Sequence, residues 1–400
     1  MLDVKGLPYA GLRMVEFTHM VMGPACGMLF ADLGAEVIKV EPPQGDNTRK
    51  LLGSGAGFYP LFNRNKKSVV FDLKTPEGRE AALKLIATAD IVSHNFRPET
   101  MAAQGLDYES LKKINPRLIY IALKGFLPGP YEHRTALDEV VQMMGGLAYM
   151  TGPVGQPLRA GSSVNDIMGG MFGAIAAMAA LAQRQQTGLG MQVQSALFEN
   201  NVFLVAQHML QYAVTGQPAD PMPSRISAWA VYDVFTLKNG EQIFLSVVSD
   251  KQWLVFCDVL GFADLKAHPA YQTNNDRVLE RVNLIPELRL RLAKHTATEL
   301  ADLFEKNGLP YAPIKRPQDL MDDPHLMQSG GLAPMTLPSG QQTNTVLLPF
   351  AMDGQRLGVR LNPPKLGEHS VELLTSLGYS LEQAEKLGAL QAGSIQNRSS

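Results

Sequence analysis

Over the first 125 residues the apolar positions alternate between two spacings. Short apolar runs at Leu12–Phe17, Glu36–Val40, Val69–Asp72, Ile91–Ser93 and Leu118–Leu123 read as strands. Between them, Pro24–Leu33 carries helical spacing with Gly34 as its left-handed cap. Thr75-Pro76-Glu77 opens a second helix that runs to Ala87: a capping hydroxyl, a proline at the first helical position and an acid near the dipole. Strands alternating with helices of this length predict an open α/β fold around a parallel sheet.

Gly125–Gly161 is rich in glycine and proline, with a helix expected over Ala136–Met143. Ile167–Ala182 is apolar and uncharged, shorter than the ~20 residues of a membrane span, and its Gly169, Gly170 and Gly173 predict a buried helix packed closely against neighbours. A turn at Thr187–Gly190 and a strand and helix over Gln192–Gln211 follow. Gly216–Pro223 turns small and polar and reads as a linker. Residues 229–325 then look like a smaller α+β unit, with a hairpin around Asn239-Gly240 and helices at Gln252–Leu260, Arg277–Leu292 and Thr298–Asn307. Beyond Asp319 the chain reads as irregular and proline-rich, ending in a helix pair and a frayed tail over Gly393–Ser400.

Composition narrows the function classes. A 400-residue chain with 45% hydrophobic residues and a net charge of -2 is that of a soluble globular enzyme, with no excess of charge for nucleic acid. Two cysteines, Cys26 and Cys257, make neither a disulfide framework nor a zinc site and fit a reducing, cytoplasmic setting. The opening residues lack a basic start followed by a long apolar stretch, so no leader is expected.

The candidate chemistry sits at strand ends. Glu41 closes the second strand, where an acid can bind a ribose or simply be solvated, but the first turn, His19-Met20-Val21-Met22-Gly23-Pro24, has no Gly-x-Gly-x-x-Gly for a dinucleotide. His19, Asn95-Phe96-Arg97 and Lys124 each follow a strand, and together they imply a cationic crevice for an anionic ligand. Asp166 directly precedes the apolar helix. It reads either as an N-cap worth about 1 kcal/mol or as a carboxylate nucleophile stabilised by the helix terminus. Asp138 and Glu139 form a second acidic pair before a helix, with capping as the plain reading. No nucleophile elbow and no His-Glu-x-x-His is present.

These residues also fit a known family. Phe17-Thr18-His19, Gly23-Pro24, Asp32–Glu41, Asn65–Ser68, Asp72–Gly78, Asn95–Pro98, Asn115–Ile119, Gly161–Gly170, Thr187–Gly190 and Ser195–Glu199 resemble the ordered motifs of class III CoA-transferases, the formyl-CoA and carnitine CoA-transferase family, from about residue 10 to 370. The resemblance implies an interlocked homodimer with a Rossmann-like large domain, residues 1–215 and 330–400, and an inserted small α+β domain, residues 226–325, joined by linkers at 216–225 and 326–329. It implies Asp166 as the nucleophile, passing through an aspartyl-CoA thioester, with a CoA thioester as substrate and neither a permanently bound cofactor nor a metal. Carried over residue by residue, CoA contacts fall on His19, Met20, Val21, Phe71, Lys74, Asn95, Phe96 and Lys124, with Arg97 or Arg49 offered for the adenosine end because Pro42 and Ala103-Gln104 depart from the family pattern.

Leu123–Pro130, Arg159–Val164 and Leu197–His208 resemble the branch acting on C4–C5 dicarboxylates such as mesaconate, itaconate and citramalate, with succinyl-CoA as donor. A second carboxylate wants a cation, and His133, Arg134 and Arg159 are the candidates. Alternatives are intramolecular CoA transfer, a non-catalytic CoA-binding scaffold, and a 2-methylacyl-CoA racemase. The racemase is disfavoured because Ala136-Leu137-Asp138 stands where racemases carry Gly-His-Asp.

Overall fold

The computed structural model describes residues 6–225 and 227–393. The expected tail beyond Gly393 lies outside the described residues. The chain divides into two compact units, Met1–Pro223 with Pro324–Ser400, and Ser224–Asp323.

The first unit opens with β1 (Arg13–Phe17), α1 (Met22–Asp32), β2 (Glu36–Glu41), α2 (Phe58–Phe62), β3 (Lys66–Val70), α3 (Pro76–Ala87) and β4 (Ile91–His94). It continues with α4 (Pro98–Ala103), α5 (Tyr108–Ile114), β5 (Ile119–Lys124), α6 (Asp138–Met144), α7 (Leu147–Thr151), α8 (Val164–Thr187), β6 (Gln192–Ala196) and α9 (Leu197–Thr215). The six strands pair in the order β3-β2-β1-β4-β5-β6, all parallel. That is the doubly wound arrangement, and its order reverses between β1 and β4.

Period-two alternation sends Val15 and Phe17 into one core, with Ala81, Leu85 and Leu373, and Met14 into the other, with Phe30, Ala174 and Ala177. Both faces are covered, so the strands read as nearly continuous apolar runs. Thr75 caps α3 as expected, accepting from the Gly78 N–H at 3.1 Å. β3 starts earlier than the apolar run predicts, because Lys66 and Ser68 are polar yet fully buried, and hydrophobic spacing cannot flag them. Its open edge is taken up by the returning chain: the Asn65 N–H donates to Leu361 O, the His369 N–H to Ser68 O, and the Val70 N–H to Ser370 Oγ.

By length and composition α8 could cross a membrane. Here Gly169, Gly170, Gly173, Ala174 and Ala177 are buried, and the helix packs on α1 and β5. A Cβ on Gly170 would stand 2.7 Å from Met22 O and 2.9 Å from Cys26 N, so only glycine permits this approach.

The second unit holds β7 (Val231–Thr236), β8 (Gln242–Val247), α10 (Asp250–Leu260), α11 (Ala263–Ala267), α12 (Asn274–Leu279), α13 (Arg281–Leu292), α14 (Ala297–Lys306) and β9 (Tyr311–Pro313). Its three strands form an antiparallel sheet in the order β7-β8-β9. Asn239 and Gly240 both take positive φ in the hairpin turn. The single helix expected at Arg277–Leu292 is two. A Thr273–Asp276 capping box starts α12 early, and Glu280 O receives the first N–H groups of α13.

The remainder of the first unit holds α15 (Pro324–Gln328), β10 (Leu332–Thr336), β11 (Gln342–Val346), α16 (Ser370–Ser376) and α17 (Leu381–Gly393). The β10–β11 hairpin falls where the sequence reads as irregular. A two-stranded ribbon tolerates Pro334, which lacks an N–H.

Candidate active site

The carboxyl ends of β1, β4 and β5 are neighbours in the sheet, so the residues that follow them meet. His19 follows β1 and Asn95 follows β4, across the point where the strand order reverses. The Asn95 amide donates to His19 O at 2.7 Å, and its Oδ1 accepts from the His19 N–H at 3.0 Å. Oδ1 also lies 2.9 Å from His19 Nδ1. Since Oδ1 can only accept, Nδ1 carries the proton and Nε2 is left to the cleft. Phe96 stacks on the imidazole at 5.1 Å. Burial lowers the His19 pKa, against the Asn95 hydrogen bond. The ring is therefore neutral at pH 7.

A cleft of about 460 Å³ opens here. His19, Asn95, Phe96, Arg97 and Lys124 line it, together with His133 and Arg134 from the loop after β5. Its lining also includes Glu99 and Glu132, so three permanent cations face two carboxylates. Arg97 donates to Thr135 Oγ1 and Arg134 lies over the Tyr131 ring, while His133 pairs with Glu132.

Other expected contacts lie elsewhere. Met20, at a positive φ of 63°, and the buried Val21 belong to the loop between β1 and α1. Phe71 is 1% exposed within the core, and the exposed Lys74 follows it; neither lines the cleft. Two readings need correction. Glu41 is not a free strand-end acid for a ribose: Arg49, Ser68 and the Asp46 N–H bond both its oxygens. Arg49 is thereby occupied, and it also donates to Pro364 O.

The loop between β1 and α1 is pinned from below by buried lysines that sequence reasoning passed over. Lys39 Nζ donates to Thr18 O at 2.8 Å and pairs with Asp46 at 2.9 Å. Lys66 Nζ donates to Pro24 O at 2.9 Å and pairs with Glu16 at 2.7 Å. Burial pushes Lys66 down to about 8 in spite of Glu16. Strand β2 therefore holds the start of the loop that carries His19, Met20 and Val21, and β3 holds the first turn of α1 that follows it.

Asp166 is not the N-cap of the long helix. The helix begins at Val164 after Ser163, which makes no side-chain cap bond, and Asp166 lies within its first turn. The capping carboxylate is Asp138, whose Oδ1 accepts from the Asn165 N–H at 2.8 Å and the Asp166 N–H at 3.2 Å. The Asp166 carboxyl is thus free of a capping duty and partly buried. Burial, and then the Asp138 charge, push its pKa up to about 7, while the Met22 N–H at the start of α1 pulls it down. Met22 lies on the connection that carries His19, and Asp138 lies two residues beyond the cleft-lining Ala136. Arg159 pairs with Glu139 and does not line the cleft. Asp166 thus combines a raised carboxyl pKa with a place in the first turn of α8 that it does not have to cap, and it is not among the residues that line the cleft.

Residues 9–370 match CoA-transferase family III. The chain belongs to that family. The transferase is similar to a succinate–glutarate CoA-transferase of Agrobacterium fabrum, 33% identical over 92% of this chain and 96% of the relative. It is also similar to a succinyl-CoA:mesaconate CoA-transferase of Haloarcula hispanica, 32% identical over 92% of this chain and 96% of the relative. Among solved structures, a CAIB/BAIF family protein from Brucella suis superposes with a TM-score of 0.85 at 32% identity, covering 93% of this chain and 99% of that one. The protein is a CoA-transferase, and a CoA thioester is its substrate.

Proposed function

We propose that this transferase moves CoA from succinyl-CoA or another dicarboxyl-CoA to a C4–C5 dicarboxylic acid of the mesaconate, itaconate or citramalate kind, through an aspartyl-CoA thioester on Asp166. The observation that carries the mechanism is the Asp166 carboxyl itself, raised to about 7 in the first turn of α8. The acid class rests on the relatives named for glutarate and mesaconate.

The Asp166 carboxylate attacks the donor thioester carbonyl, and CoA leaves as a thiolate with a mixed anhydride on Asp166. The thiolate then attacks the aspartyl carbonyl and releases the donor acid. The acceptor carboxylate attacks the aspartyl-CoA thioester, giving a second anhydride and the thiolate. Attack of the thiolate on the acceptor carbonyl forms the new acyl-CoA and frees Asp166. Thioester energy passes through covalent links throughout, so no nucleotide is spent.

His19, Asn95, Phe96, Arg97 and Lys124 line the cleft for CoA, beside Met20 and Val21. The Lys124 ammonium has no hydrogen-bonded or ion-paired partner among the described residues, which leaves its charge for a phosphate or carboxylate. Phe71 is buried with its N–H bonded to Glu41 O, and the proposed contact of the exposed Lys74 with CoA would fall outside the cleft. His133, Arg134 and Arg159 are the proposed partners of the acceptor's second carboxylate.

The assembly reading is an interlocked homodimer in the cytoplasm. Phe203, Leu210 and Val214 of α9 are 66%, 66% and 84% exposed, an apolar strip that a second copy would cover. Sedimentation tests this, and a monomer at micromolar concentration speaks against it. The substrate test is succinyl-CoA with mesaconate, itaconate, citramalate, glutarate, oxalate and carnitine, read by mass spectrometry. New dicarboxyl-CoA thioesters support the reading. Transfer confined to oxalate or carnitine overturns the acid class.

A further inference from the structure

Asp138 and Gln142 stand one turn apart on α6, and both are buried. Gln142 Oε1 accepts from the Ala160 N–H at 2.8 Å, which fixes the amide so that Nε2 donates to Asp138 Oδ2. Asp138 Oδ1 accepts from the Asn165 and Asp166 N–H groups. Among the described residues every hydrogen bond to the Asp138 carboxyl is therefore accepted, as an ionised carboxylate requires. We propose that Asp138 and Gln142 are positioning residues for the nucleophile: they clasp both ends of the loop Ala160–Asp166 and set a fixed negative charge against the Asp166 carboxylate. The inference rests on Asp166 being the nucleophile.

The clasp has two consequences. It holds the first turn of α8 from outside, so the side chain of Asp166 can react without surrendering the helix cap. It also makes ionised Asp166 costly while the site is free. When Asp166 is acylated its charge departs on the CoA thiolate, and the repulsion from Asp138 is relieved. Asp138 thus favours the acylated enzyme and raises the basicity of the attacking carboxylate. The groups that act on Asp166 are the Asp138 charge from α6 and the Met22 N–H from α1. From α9, neutral Asn201 faces Asn165.

Asp138→Asn removes the charge but sets two amide donors against each other at Gln142. Asp138→Asn with Gln142→Glu restores every hydrogen bond, with the charge moved to the neighbouring side chain, off the carboxyl that caps the Asn165 and Asp166 N–H groups. Both variants and the wild type are assayed for kcat/KM against pH, for thermal midpoint, and for a hydroxylamine-sensitive CoA adduct on the Asp166 peptide. The double variant is expected to keep the wild-type midpoint while its acidic limb moves down by less than half of the rise from 3.8 to about 7, because burial is the larger cause of that rise. The Asp166 adduct should form in the wild type and accumulate at least several-fold less in the double variant. An unmoved limb in both variants, with the adduct still on Asp166 in the wild type, would show that Asp138 is a cap only and overturn the proposal. No adduct on Asp166 in a turning-over wild type would overturn the nucleophile as well.

Discussion

Replacing Asp166 by asparagine should stabilise this protein as it inactivates it, and by an amount that depends on pH. The folded carboxyl titrates at about 7, raised by burial first and Asp138 second, from an ordinary value of 3.8. Between those two values the unfolded chain has released a proton that the folded chain still holds. Folding stability therefore falls as pH rises, by ~1.4 kcal/mol per pH unit. Below about pH 4 the penalty is absent, and above about pH 7 it is complete, at about 4 kcal/mol before discounting. Asp166 is partly exposed, and solvent screening reduces this to roughly 2–4 kcal/mol. Asparagine keeps the volume, can still accept from the Met22 N–H, and carries no such penalty. Urea unfolding of both proteins at matched concentration, from pH 5.5 to 8.5, should show the variant more stable throughout and the gap widening by roughly 1–2 kcal/mol. CoA transfer should be lost at every pH. A gap that does not change with pH, or a variant less stable at pH 8.5, would refute the argument that this carboxylate is held under strain.

Three further outcomes follow from the geometry. Lys66→Met leaves Glu16 buried without its partner and should cost about 3–5 kcal/mol by urea unfolding, with much of that recovered in the double variant with Glu16→Gln. Gly170→Ala drives a methyl into Met22 O and Cys26 N, and should cost about 1–3 kcal/mol while moving the Met22 N–H from Asp166, so kcat should fall more than KM rises. Of His133→Ala, Arg134→Ala and Arg159→Ala, at least one should erode the preference for dicarboxylic over monocarboxylic acceptors, measured as a ratio of kcat/KM; no change in any of the three removes these residues from the acceptor site.

The parallel sheet is legible in the chain because strands covered on both faces write themselves as apolar runs, and because Thr75-Pro76-Glu77 announces its helix locally. The polar layer under the site is not. Glu16, Lys39 and Lys66 are fully buried at strand positions where hydrophobic spacing predicts apolar residues, and only the neighbouring strands reveal their partners. The role of Asp138 was hidden for a related reason. A carboxylate at the start of a helix reads as serving that helix, whereas its oxygen caps another one 28 residues along. Once that cap is assigned, Asp166 no longer has a structural duty to explain it. The β10–β11 hairpin escaped because its prolines argue against strands in any but the smallest sheet.

The central claim is that Asp166 carries the CoA. The protein is mixed with succinyl-CoA and no acceptor, quenched with hydroxylamine, digested, and mapped by mass spectrometry. The account predicts a hydroxamate on Asp166, formed only when the donor is present and removed when an acceptor acid is added first. A hydroxamate on another residue, or none on Asp166 while transfer proceeds, would contradict it.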